Sequence, residues 1–137
     1  MAIDSIQLTS EAIARYRAEL VDYPDSLTAL DVIEKRRGDL ARATESLATQ
    51  NGIEGVKDNS LQSWFAMVIQ KCRVYICQPQ YENLREEYLP ALIPPLTDCI
   101  AGAFMCPPGV AGLLSTPIAI YIKEKGMDKF CQSSIDS

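Results

Sequence analysis

The chain has 137 residues, with 13 basic and 18 acidic side chains and a formal charge of −5. That acidity argues against a nucleic-acid partner, because neutralising phosphates needs a basic face. There is no histidine, so the side chain best suited to proton transfer at neutral pH, and the commonest metal ligand, is missing.

A hydrophobic share of 47% provides for a packed core, and the length fits one domain or two small helical modules sharing a core. The five cysteines, Cys72, Cys77, Cys99, Cys106 and Cys131, are odd in number and lie among apolar neighbours. That pattern predicts reduced core-filling thiols and a cytoplasmic location rather than a disulfide framework. Met1 to Ser10 has neither a basic start nor a long apolar core, so no signal peptide is expected.

The expected fold is all-α: a three-helix bundle over residues 1–52 and a C-terminal helical bundle over 58–137. Thr9 or Ser10 can cap the first helix, which carries Ile13, Tyr16, Leu20 and Val21 at helical spacing. The turn at Tyr23-Pro24 stops it, because a residue before proline avoids the α region. Asp25 or Ser26 is expected to cap the second helix, with Leu27, Leu30 and Ile33 on one side. Arg36 and Arg37 complement its negative end, and Gly38 supplies a left-handed stop. Asp39 caps a third helix bearing Leu40, Ala43 and Leu47, which ends towards Gly52.

Residues 51–60 hold two glycines and several turn formers, and mark the boundary. Residues 1–58 carry 7 basic and 11 acidic groups, net −4; residues 59–137 carry 6 and 7, net −1. Past the boundary, a helix from Asp58–Ser60 to about Cys77 places Leu61, Trp64, Phe65, Val68, Cys72, Tyr75 and Ile76 on one stripe. Met67, Ile69 and Val74 lie off that stripe, so this helix is expected to be central. After Pro79, Tyr81, Leu84, Tyr88 and Leu92 predict an amphipathic helix with Arg85, Glu86 and Glu87 facing water.

Between Tyr88 and Ile122 the one charged residue is Asp98, and the 24 residues Cys99–Ile122 have none. As one helix they would span roughly 36 Å, enough for a bilayer. Cys106-Pro107-Pro108-Gly109 interrupts them with turn chemistry. The expectation is therefore a folded hairpin, about Leu96–Met105 and Gly109–Lys125, with Pro117 bending the second arm. Ala101, Gly102, Ala103, Ala111, Gly112, Ser115 and Ala119 would let helices approach closely in water or lipid.

Residues 29–47, from Ala29-Leu30 through Gly38-Asp39-Leu40 to Ala43 and Leu47, resemble the second and third helices of ubiquitin-associated (UBA-like) domains. The resemblance covers about a third of the chain and implies a UBA-like module over residues 9–50. That family's binding loop carries Met-Gly-Phe or Met-Gly-Tyr, whereas Val21-Asp22-Tyr23-Pro24 stands here, so ubiquitin binding is not carried over.

No catalytic, cofactor-binding or metal-ligating set is apparent. Cys72 and Cys77 lie about 500° apart around a helix and diverge, and no second Cys pair has zinc-site spacing. Ser115-Thr116 lacks a base partner, and Gly109 and Gly112 lack the Lys-Ser/Thr of a phosphate loop. Asp98, after Pro94-Pro95-Leu96-Thr97, is expected to cap a helix, with a functional acid as the other reading. Tyr23, Lys35, Arg36 and Arg37 form the candidate interaction surface. The leading expectation is a non-catalytic protein-interaction or adaptor module, with a homo-oligomer left open. The alternatives are membrane association through hairpin 99–122, and an enzyme whose subunit-interface site uses Asp98, or Glu87 with Arg85.

Overall fold

The computed structural model describes residues 7–53, 64–78, 89–125 and 130–131. Among these residues the protein is all-α, with helices α1 (Ser10–Glu19), α2 (Pro24–Lys35), α3 (Leu40–Gln50), α4 (Trp64–Ile76), α5 (Leu89–Phe104) and α6 (Pro108–Lys125). The expected helical starts at 58–60 and the amphipathic segment 81–88 lie outside the described residues.

Local chemistry sets the first three helices. The Thr9 hydroxyl accepts from Ala12 N at 3.1 Å, and an Asp39 carboxylate oxygen accepts from Arg42 N at 3.0 Å, so α1 and α3 begin with side-chain caps. The expected cap at Asp25 or Ser26 is corrected. Pro24 itself opens α2, at a position where its missing N–H has no helical partner to lose. Ser26 is buried and shares a 2.8 Å hydrogen bond with the Thr116 hydroxyl of α6. Val21, expected on the apolar face of α1, is 63% exposed, while Ile13, Tyr16 and Leu20 are buried.

One hydrophobic core joins all six helices. The central element is α6, correcting the expectation that the Trp64 helix would hold that place. Every residue of α6 from Ala111 to Ile122 except Leu113 is buried, against α5, α2 and α3. Helix α4 packs on α3 and α5, and one edge reaches water at Val74, 71% exposed. The Phe65 and Tyr121 rings meet edge to face at 5.4 Å, joining α4 to α6.

The uncharged tract folds as a hairpin: the chain turns through 119° between α5 and α6. Met105, with φ 51°, occupies the turn before Pro107-Pro108. Among the described residues no single helix is long and apolar enough to cross a membrane; α5 and α6 qualify only together, across this bend. The expected start at Leu96 is corrected, because Pro94 and Pro95 lie inside α5. They leave the Pro90 and Ala91 carbonyls without helical donors, yet the helix continues because Leu92, Ile93, Leu96 and Ile100 all bury. In α6 Pro117 likewise has no N–H for Leu113. In the preceding turn the Ser115 and Thr116 hydroxyls donate to the Gly112 carbonyl at 2.9 and 3.1 Å.

The reading of all five cysteines as reduced is also corrected. Cys77 and Cys131 form a disulfide that closes a 54-residue separation; a loop of that length stabilises by about 4 kcal/mol in the chain-entropy account. The closed pair removes the argument from which a reducing compartment was read. Beside it Phe130 is fully buried, and Arg73, only 3% exposed, stacks on its ring at 4.9 Å and donates from Nε to its carbonyl at 3.0 Å. Burial pushes the Arg73 guanidinium below its ordinary pKa.

At the C-terminal end of α6, Lys123 pairs with Glu19 at 3.1 Å, and the Tyr16 hydroxyl donates to Glu124 at 2.8 Å. Burial, then the Glu124 carboxylate, raises the Tyr16 pKa well above the phenol range. Ile118 is fully buried in the middle of α6. Ile118→Ala is expected to cost about 2–5 kcal/mol in chemical denaturation, whereas Val74→Ala should stay within about 0.5 kcal/mol of the parent.

Candidate functional site

The most distinctive polar surface forms where α2 passes into α3. Helix α2 ends at Lys35, and Gly38 N donates back to the Ile33 carbonyl at 2.8 Å, closing the helix end. Arg37 and Gly38 both take left-handed conformations, φ 57° and 85°. Glycine does so freely; arginine holds it against a steric cost of roughly 1–2 kcal/mol. The segment before α1 stabilises the turn. Leu8 N donates to the Gly38 carbonyl at 2.8 Å, Gln7 Nε2 donates to the Arg37 carbonyl at 2.9 Å, and Gln7 and Asp39 form an antiparallel bridge.

The result is a groove of about 340 Å³ lined by Gln7, Lys35, Arg36, Arg37, Asp39 and Arg42. It gathers four cations around one acid. Arg42 Nε lies 3.6 Å from the Asp39 carboxylate, so that charge is locally offset. Lys35, Arg36 and Arg37 are exposed and have no carboxylate within ion-pair distance among the described residues. The end of the α2 dipole favours cations at this corner, but that accounts for charge near the last turn and not for a concave surface shared with Arg42 and Gln7.

The expected interaction residues are therefore divided. Lys35, Arg36 and Arg37 come together in this groove. Tyr23 lies at the opposite end of α2, twelve residues away, or about 18 Å at helical rise. There it borders a smaller groove of about 230 Å³, with Asp22, Pro24, Asp25, Ser26, Ile93, Thr97, Pro108 and Gly112. Asp98 is exposed on the middle of α5, lines neither groove and caps no helix, which corrects the expected helix entrance. Arg85 and Glu87 lie outside the described residues. Among the described residues no cluster of three or more His, Cys, Asp or Glu could hold a metal ion.

Arg42 and Gln7 escaped the sequence reading, although Arg42 carried a signal. With Asp39 as the cap of α3, the residue three further on must rise beside that turn. Gln7 carried none, since its place depends on a bridge to residues thirty positions away. Comparisons with protein-family models, with curated proteins and with solved structures return no significant match.

Gly38 is the position on which the groove depends. A β-carbon there would overlap the backbone of Leu8, at a φ that side chains rarely adopt. Gly38→Ala is accordingly expected to lower stability by about 1–3 kcal/mol in denaturant titration, and to release the protection of the Leu8 amide from hydrogen exchange.

Proposed function

We propose that this protein is a non-catalytic interaction module whose α2–α3 corner receives an acidic segment of a partner protein. The observation that carries the reading is the clustering of three exposed cations, Lys35, Arg36 and Arg37, which have no ion-pair partner among the described residues, with Arg42 along one concave surface, in a chain whose formal charge is −5. Positive charge concentrated against the sign of the whole molecule gives an anionic partner one docking place and repels it elsewhere. Side-chain forks at Arg36, Arg37 and Arg42 suit carboxylates, which they can bind through two parallel N–H donors. The left-handed backbone at Arg37 supports the same reading, because conformational strain concentrates at ligand clamps.

The helices α1–α3 and the Gly38-Asp39 turn support a UBA-like assignment for residues 9–50, within the same proposal. The surface proposed here is not that family's recognition loop, whose sequence is replaced by Val21-Asp22-Tyr23-Pro24.

The test is fluorescence anisotropy with a labelled Asp/Glu-rich peptide and the combined Lys35→Glu, Arg36→Glu, Arg37→Glu variant. These residues are exposed, so folding should survive, and circular dichroism would verify it. Affinity is expected to fall by ~10-fold or more, the sum of several modest solvent-exposed charge contacts, and parent binding should weaken with added salt. Equal binding by parent and variant would overturn the proposal, as would tighter binding of the parent to a nucleic acid than to the peptide.

A further inference from the structure

Helix α2 carries a second groove at its other end, and its chemistry complements the basic corner. Asp22, Tyr23 and Asp25 line a hollow of about 230 Å³ together with the apolar Pro24, Ile93 and Pro108. No basic residue lines it. Asp22 and Asp25 are exposed, and neither has an ion-pair partner among the described residues. The positive end of the α2 dipole favours carboxylates here, but it does not account for the ring of Tyr23, 39% exposed, and the apolar lining beside them. Paired carboxylates accept the N–H forks of arginine, an aromatic face attracts a guanidinium or ammonium, and apolar surface suits the methylene stems of both basic side chains. The set matches an arginine or a lysine.

The chain itself supplies both halves of that match. Lys35, Arg36 and Arg37 are exposed at the α2–α3 corner. Most of the described carboxylates are already engaged: Glu19 with Lys123, Asp31 and Glu34 with Arg17, Asp39 with Arg42, Glu124 with Tyr16 and Glu45 with the Phe65 amide. Of the others, Glu11 and Asp98 line neither groove, while Asp22 and Asp25 share one. We infer that the partner received at the α2–α3 corner is a second copy of this chain, whose Asp22–Asp25 groove takes Lys35, Arg36 and Arg37 of its neighbour. The inference rests on the proposed reading of that corner as a receiver of carboxylates, and it names the partner.

The placement of the two grooves sets the form of the assembly. Tyr23 and Lys35 stand at opposite ends of α2, about 18 Å apart at helical rise, so the grooves of one chain cannot meet each other. Contact between two different patches is heterologous, and a pair of copies still presents one free acidic and one free basic groove. Further copies add head to tail until a ring closes or dilution stops growth. Exposed charge pairs contribute little each, and copies of formal charge −5 repel one another at longer range. Association is therefore weak and builds with protein concentration.

The experiment is sedimentation velocity over a concentration series, with the parent, an acidic-groove variant (Asp22→Asn, Asp25→Asn) and the basic-corner variant (Lys35→Glu, Arg36→Glu, Arg37→Glu). The parent is expected to form species that grow with concentration and disappear in high salt. Each variant alone should remain monomeric. An equimolar mixture of the two should stop at a dimer, because one intact acidic groove meets one intact basic corner; that dimer also shows that both variants are folded. The Asp/Glu-rich peptide should dissociate the parent's larger species and bind the acidic-groove variant as tightly as it binds the parent. A parent that binds the peptide yet stays monomeric throughout the series would overturn the inference and leave the reading of the corner standing. Failure of the peptide to bind the parent would overturn that reading, and the inference with it. Larger species that persist in either variant alone would overturn the head-to-tail contact.

Discussion

Helix α6 must be taken out of water along nearly its whole length, and every other element is arranged to do it. The helix runs for eighteen residues, and its charged side chains, Lys123, Glu124 and Lys125, come only at the end. With no polar stripe, no single neighbouring helix can cover it. The sequence turns through 119° before α6 and lays α5 along one side, while α2 and α3 cover others. The small residues Ala111, Gly112, Ser115 and Ala119 allow these approaches. A β-carbon on Gly112 would come within 3.2 Å of the Asp25 carboxylate, which shows how closely the start of α2 is seated.

Burying such a helix would be costly if its few polar atoms were left unpaired. The side chains of Ser115, Thr116, Lys123 and Glu124 are joined to the helices around them. The Thr116 hydroxyl meets Ser26 of α2, and the Ser115 hydroxyl meets Thr97 of α5 at 3.1 Å. At the far end Lys123 and Glu124 engage Glu19 and Tyr16 of α1. Because these bonds need particular partners at particular heights, they set the register in which an otherwise uniform apolar surface packs. The same arrangement gives α2 a fixed seat, and α2 is the helix whose end carries the basic groove.

Much of this was legible in the residues themselves. The caps at Thr9 and Asp39, the stop at Gly38 and the fold-back around Pro107-Pro108 follow from local chemistry that does not depend on the rest of the chain. The failures are tertiary. Pro94 and Pro95 are read from sequence as a helix entrance, yet in α5 burial of Leu92, Ile93, Leu96 and Ile100 outweighs two missing donors. Val74 and Val21 suggest further apolar faces and are solvent-exposed instead. Arg73 lies among apolar neighbours with nothing local to indicate that the Phe130 carbonyl and ring would receive it. The pairing of Cys77 with Cys131 likewise required the fold. Of the proposed interaction surface, the run Lys35-Arg36-Arg37 was legible, while its concave partners Arg42 and Gln7 depended on how the chain before α1 crosses the α2–α3 turn.

A scaffold of this kind leaves its variable chemistry at the edges, here the basic corner where α2 passes into α3. That corner depends on α6 holding α2 and its other neighbours in place. Residue-resolved hydrogen exchange in plain buffer tests that dependence directly. The account predicts that the amides of Ala111–Ile122, apart from Pro117, exchange most slowly in the protein, at the rate set by global unfolding and together with the core of α2. Rapid exchange across α6, or protection that arises only on adding lipid vesicles, would contradict it.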